Sequence, residues 1–158
     1  MFSKGGAASE GSCCLLLEGR HTREVARRIA EALGADLDEV IDRKNRKGIL
    51  GFLRAGYDAT RGKTTEIAFE KDPSEYDLVV IGSPVWNGRV TPAIRTYLLR
   101  NREKIRKAVF FATCAGRKGK ILEGMRGLYG GEVIAEAVME KEEKTKEFVE
   151  ALKRVINS

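Results

Sequence analysis

Residues 76–98 read YDLVVIGSPVWNGRVTPAIRTYL. Leu78, Val79, Val80 and Ile81 form a short unbroken apolar run bounded by turn formers, the pattern of a strand buried on both faces. Gly82, Ser83 and Pro84 end it. Trp86 follows in a loop, with Asn87 and Gly88 beside it. Thr91-Pro92 then starts a helix. Threonine is a favoured N-cap, and proline at the first helical position lacks only an N–H that has no intrahelical partner there. Ile94, Tyr97 and Leu98 give this helix one apolar face. The centre of the chain is therefore a buried strand, a loop carrying an aromatic ring, and a helix. In open α/β sheets, ligands bind at loops of this kind, beyond the carboxyl ends of the strands.

Towards the N-terminus, residues 1–12 are rich in Gly, Ser and Ala and read as a flexible tail. Cys13 to Leu17 is the first expected strand, and Glu18-Gly19-Arg20-His21 a tight loop. Thr22 opens a helix with Val25, Ala26, Ile29, Ala30 and Leu33 on one side. Gly34 stops it. Leu37 to Ile41 reads as a second strand, more like an edge than a centre. Residues 42–63 are the least regular part: a basic run (Arg43, Lys44, Arg46, Lys47) precedes Ile49, Leu50, Phe52, Leu53 and Tyr57, with glycines between. This reads as a glycine-weakened crossover helix with a sticky face, the alternative being a partner surface. Thr65 to Phe69 is a brief extended piece, and Asp72-Pro73-Ser74 a turn.

Towards the C-terminus, Ala108 to Thr113 is another buried strand, ending in the loop Cys114-Ala115-Gly116. Ile121, Leu122 and Met125 mark a helix that ends near Gly130-Gly131. Glu132 to Met139 reads as the last strand, and Phe148, Val149, Leu152, Val155 and Ile156 as the face of a closing helix. Five alternations of strand and helix predict a three-layer, doubly wound α/β domain over residues 13–158. The favoured sheet has five parallel strands in the order 2-1-3-4-5. Three loops then meet near the switch point: Glu18–Thr22, Ser83–Thr91 and Thr113–Lys118.

The 158 residues fit one domain. No apolar run approaches the ~20 residues of a membrane span, and the run at Cys13–Leu17 is too short for a signal-peptide core. A cytoplasmic protein is expected. The formal charge of +6 favours anionic partners, but acidic residues are interspersed with the basic ones and no nucleic-acid motif occurs. Cys13, Cys14 and Cys114 match no zinc or redox spacing, and no metal site is expected. Cys13 and Cys14 read as small buried residues of a strand; Cys114 falls in a loop where it can line a ligand site. A phosphoryl-accepting receiver is set aside, because Gly82-Ser83 stands where an acceptor aspartate is needed.

The stretch YDLVVIGSPVWNGRVTPAIRTYL resembles the central motif of the flavodoxin-like family of FMN proteins, and RKGILGFLRAGYDATRGK resembles the segment before it in a common subfamily. The resemblance implies a flavodoxin-like sheet, an FMN site and a role in electron transfer. It places the flavin against Ser83, Pro84, Val85, Trp86, Asn87 and Gly88, with Trp86 as the stacking face. Thr113, Cys114, Ala115 and Gly116 supply the other wall, without the second aromatic ring of the long-studied flavodoxins. The family's phosphate loop, roughly S-x-T-G-x-T, corresponds here to Leu17, Glu18, Gly19, Arg20, His21 and Thr22. Only Thr22 matches. Arg20 and His21 are the substitute cationic donors, aided by the helix N-terminus. Two lost hydroxyls at about 1.5–3 kcal/mol each weaken FMN binding by roughly two to four orders of magnitude. Weak or absent FMN is the resulting expectation.

Two functions are therefore carried forward. One is an FMN-binding redox protein, passing electrons to a partner protein or to a small quinone-like acceptor, acidic in character, or acting as an FMN-dependent oxidoreductase. The other is a flavin-free binding or assembly module of the same fold, with the 49–57 patch as a surface for self-association into a homo-oligomer.

Overall fold

The computed structural model of the protein describes residues 11–16, 20–43 and 64–158. Along these residues run β1 (Gly11–Leu16), α1 (Arg20–Leu33), β2 (Asp36–Asp42), β3 (Ile67–Ala68), a 3-10 turn (Pro73–Glu75), β4 (Leu78–Pro84), α2 (Pro92–Asn101), β5 (Lys107–Thr113), α3 (Ile121–Tyr129), β6 (Glu132–Met139) and α4 (Glu142–Ile156). Gly11 and Ser12, expected in the tail, belong to β1; residues 1–10 lie outside the described residues. The basic and apolar segment also falls outside them, from residue 44 to 63.

The strands form one sheet in the order β3-β2-β1-β4-β5-β6. The pairs β1–β2, β1–β4, β4–β5 and β5–β6 are parallel. The sheet has six strands where five are expected. The additional one is the two-residue β3, antiparallel to β2 at the edge, from the piece read only as briefly extended. A buried carboxylate holds the chain there: Asp38 accepts hydrogen bonds from the backbone N–H groups of Glu70 (3.2 Å) and Lys71 (2.9 Å). Two residues are too few to show a period of two in sequence.

The alternation of β4 builds two cores. Val79 and Ile81 face one, with Ile94, Tyr97 and Leu98 of α2, Met125 of α3 and Phe110 of β5. Leu78 and Val80 face the other, with Val25 and Ile29 of α1, Phe148 and Leu152 of α4 and Phe111. The apolar stripes of the helices explain this division, since each must cover one sheet face. β4 runs on through Gly82 and Ser83 to Pro84, past the point where turn residues place its end. Gly82 is in register with Phe111 on β5, whose ring lies where a side chain at 82 would stand: a Cβ there meets Phe111 Cζ at 2.0 Å. This glycine makes room for a neighbouring ring inside the strand. Gly34 stops α1 as expected, at φ 64°, with the Ala35 N–H reaching back to the Ala30 carbonyl at 2.8 Å.

Candidate functional site

The loop after β4 is a tight hairpin. The Trp86 N–H donates to the Arg89 carbonyl (3.3 Å) and the Arg89 N–H to the Trp86 carbonyl (3.0 Å). Between them, Asn87 (φ 49°) and Gly88 (φ 68°) both take positive φ. A two-residue turn of this kind matches the right-handed twist of its flanking strands and selects Asn-Gly. That dipeptide was the available signal for a hairpin at residues 86–89. Val85 joins it to the sheet, its N–H donating to the Thr113 carbonyl at 3.1 Å.

The hairpin tip rests on the turn before α3. The Lys120 N–H donates to the Gly88 carbonyl at 3.0 Å. Gly119 (φ 54°) touches Gly88 backbone to backbone: a Cβ at 119 lies 2.4 Å from both Gly88 Cα and Gly88 O. No residue but glycine fits this contact unmoved. Sequence reading missed Gly119, because its need arises from a neighbour distant in the chain.

Between the hairpin and the loop after β5 lies a cleft of about 730 Å³. Val85, Asn87, Gly88 and Arg89 line one wall; Cys114, Ala115, Gly116, Arg117, Gly119 and Lys120 line the other. Six of the sequence-derived candidates thus converge: Val85, Asn87, Gly88, Cys114, Ala115 and Gly116. The Cys114 thiol is buried and folds its own loop, donating to the Gly116 carbonyl (3.0 Å) and accepting from the Gly116 N–H (3.3 Å). It shapes the wall.

The remaining candidates take other places. Thr22, in the first turn of α1, and Thr113, at the end of β5, are both buried, and their hydroxyls hydrogen-bond to each other. Ser83 is buried and donates to the Pro84 carbonyl at 2.9 Å; Pro84 is half-buried. Thr91 occupies the N-cap of α2 but makes no capping bond with its side chain; its Oγ1 lies 3.5 Å from Ser83 Oγ. Trp86 is half-buried against the core cluster of α2 and α3 and does not line the cleft. His21 is exposed, Arg20 is the first residue of α1, and Gly19 lies outside the described residues with Leu17 and Glu18.

The cleft is electrostatically one-sided. Among the described residues, Arg89, Arg117 and Lys120 line it, and no carboxylate does. On α2, the buried Nε of Arg95 has no hydrogen-bond partner among the described residues. Burial, and after it the charge of Arg89, push the Arg95 pKa below the usual arginine value. Among the described residues, no group of three or more His, Cys, Asp or Glu side chains is placed to hold a metal ion, and no helix is long and apolar enough to cross a membrane.

No family model matches the sequence, and no curated protein matches it. Solved structures do. A flavoprotein from Lactobacillus acidophilus NCFM, crystallised in complex with FMN, has a TM-score of 0.74 and 24% identity, covering 87% of this chain and 97% of its own. A protein of Bacteroides eggerthii DSM 20697 reaches a TM-score of 0.80 at 19% identity, over 95% of this chain and 99% of its own. The fold is flavodoxin-like. Oxidised flavodoxin 1 from Bacillus cereus is similar over 94% of this chain and 98% of its own, at a TM-score of 0.56 and 14% identity. In this flavodoxin-like sheet, the strands on either side of β1 and β4 are wound in opposite directions, and the cleft opens beyond the carboxyl ends of β4 and β5.

Proposed function

We propose that the chain is an FMN-binding redox protein whose flavin ring lies in the cleft between the 86–89 hairpin and the loop after β5. The observation that carries this reading is the cleft itself: peptide walls at Asn87–Gly88 and Ala115–Gly116, set at the carboxyl ends of β4 and β5 in a flavodoxin-like fold. A flat, largely apolar ring needs a slot with close walls and a few polar groups at its edge. Glycine supplies the first. A Cβ at Gly116 would meet nothing within 4 Å, so this position borders open space that a side chain would otherwise occupy. The backbone of Val85 to Arg89 supplies the second. Bound FMN would contribute the group that takes up and gives back electrons.

The chain's own residues have separate duties. The hairpin and its Gly88–Gly119 contact fix the width of the cleft. Trp86, read from sequence as the stacking face, packs towards the core and anchors the root of the hairpin. The first-turn N–H groups of α1 have no intrahelical acceptors and favour an anion such as the FMN phosphate. Thr22 can donate to a phosphate oxygen while accepting from Thr113. Arg20, the first residue of α1, has the planar fork that suits a phosphate. A partner protein or a small acceptor would reach the bound flavin from the open side of the cleft.

Calorimetric titration of flavin-stripped protein with FMN and with riboflavin tests this. Saturable binding of FMN, tighter than that of riboflavin by at least about tenfold, is expected, since one charge-assisted hydrogen bond lost at a phosphate is worth that much. Absence of saturable binding by either would refute it. One observation favours a second reading, a flavin-free assembly module: the sequence Leu17–Thr22, LEGRHT, keeps a single hydroxyl for a phosphate.

A further inference from the structure

Five described arginines are held in ion pairs, Arg23 with Glu39 among them. Arg27 pairs with Glu31, Arg28 with Glu24 and Glu142, Arg106 with Asp77, and Arg126 with Glu136. The three cations of the cleft do not. Arg89, Arg117 and Lys120 make no ion pair with any described residue, although they line one concavity from two sides. Concentrating like charges in a concave site raises the potential there and is relieved by an anion.

We infer that the cleft contains a subsite for a small, multiply charged anion carrying carboxylate or phosphate groups, gripped between Arg89 on the hairpin and Arg117 and Lys120 on the opposite wall. Three cations on two walls match a ligand with charges on more than one side. A concave cleft suits a compact molecule better than the face of an acidic protein. The subsite deepens the FMN reading and rests on it for its role, since it places an anionic substrate at the open side of the flavin slot. The binding itself needs no flavin. Arg117 and Lys120 have exposed side chains, so replacing them leaves the cores untouched.

The test is calorimetric titration of the whole, flavin-free protein with citrate and with inorganic pyrophosphate, at matched ionic strength. It is repeated on Arg117→Gln/Lys120→Gln and on protein saturated with FMN. Expected is one saturable site for citrate or pyrophosphate, weakened at least about tenfold in the double variant at unchanged Tm, and retained when FMN is bound. Citrate binding in a protein that takes no FMN would uphold the subsite while removing the flavin reading. Absence of binding by either anion, or equal binding by the double variant, would overturn the inference. So would competition by FMN but not by riboflavin, which would assign these cations to the flavin's own phosphate. Binding of poly-glutamate without binding of citrate or pyrophosphate would assign the surface to an acidic protein instead.

Discussion

Gly119 has two independent reasons to be glycine. Its φ of 54° lies in the left-handed region, and its Cα faces the backbone of Gly88 with no space for a Cβ. Gly119→Ala must therefore move the hairpin tip as well as adopt a strained backbone. It is expected to lower stability by about 1–3 kcal/mol, measured by urea unfolding, and to weaken FMN binding because the cleft loses its width. Unchanged stability would show that the tip and the α3 turn shift apart freely. Gly82 poses a different problem, since its neighbour is a ring. Gly82→Ala forces Phe111 aside and is expected to cost about 1–3 kcal/mol. Phe111→Leu in the same chain should recover part of that loss, and the double-mutant cycle reads the coupling. An additive cycle would contradict the contact.

At the scale of elements, α3 illustrates how a helix end is tied down. Gly130 caps it at φ 72°, and the Tyr129 hydroxyl donates to the Ile105 carbonyl at 3.0 Å while its ring meets Phe110 edge-on, 5.9 Å between centroids. Tyr129→Phe leaves that buried carbonyl without its donor, at an expected cost of about 1–3 kcal/mol. Burial, and after it the charge of Glu132, push the Tyr129 pKa above that of a free tyrosine. The folded state thus holds the proton more tightly than the unfolded state. This stabilisation is complete below the unfolded value, about 10, and is lost as pH rises through the folded value. Unfolding curves between pH 9 and about 11 should fall less steeply for Tyr129→Phe than for the wild type. Parallel curves would show that Tyr129 does not contribute.

The same elements show what sequence can carry. β4, β5 and β6 and the helices between them announce themselves through runs and stripes that recur within a few residues. The hairpin at 86–89 also carries a local signal, Asn-Gly. β3 was legible only as a brief extended piece, because its place at the sheet edge depends on Asp38 some thirty residues earlier catching two backbone N–H groups. Gly119, Arg117 and Lys120 belong to the cleft only because the chain folds back on the hairpin. Trp86 was legible as special; its packing against the core cluster of α2 and α3 was not, since a loop residue carries no period to set a face.

The molecule as a whole places its chemistry on one end of a sheet. The five parallel strands run β2-β1-β4-β5-β6, so the loops after β4 and β5 lie side by side and α1 begins close by, linked to β5 through Thr22 and Thr113. The opposite end of the sheet holds a smaller cavity of about 300 Å³, lined among others by Asp77, Arg106 and Lys107. It serves as an internal control, because a flavin bound without regard to the fold's architecture could settle there. The proposed function puts FMN in the cleft between the hairpin and the loop after β5. Amide ¹H–¹⁵N spectra recorded through an FMN titration test it most directly. Saturable shifts are expected, centred on Val85 to Arg89 and Cys114 to Lys120, with residues 106 and 107 unmoved. Shifts centred on Asp77, Arg106 and Lys107, or a spectrum that FMN leaves unchanged, would contradict it.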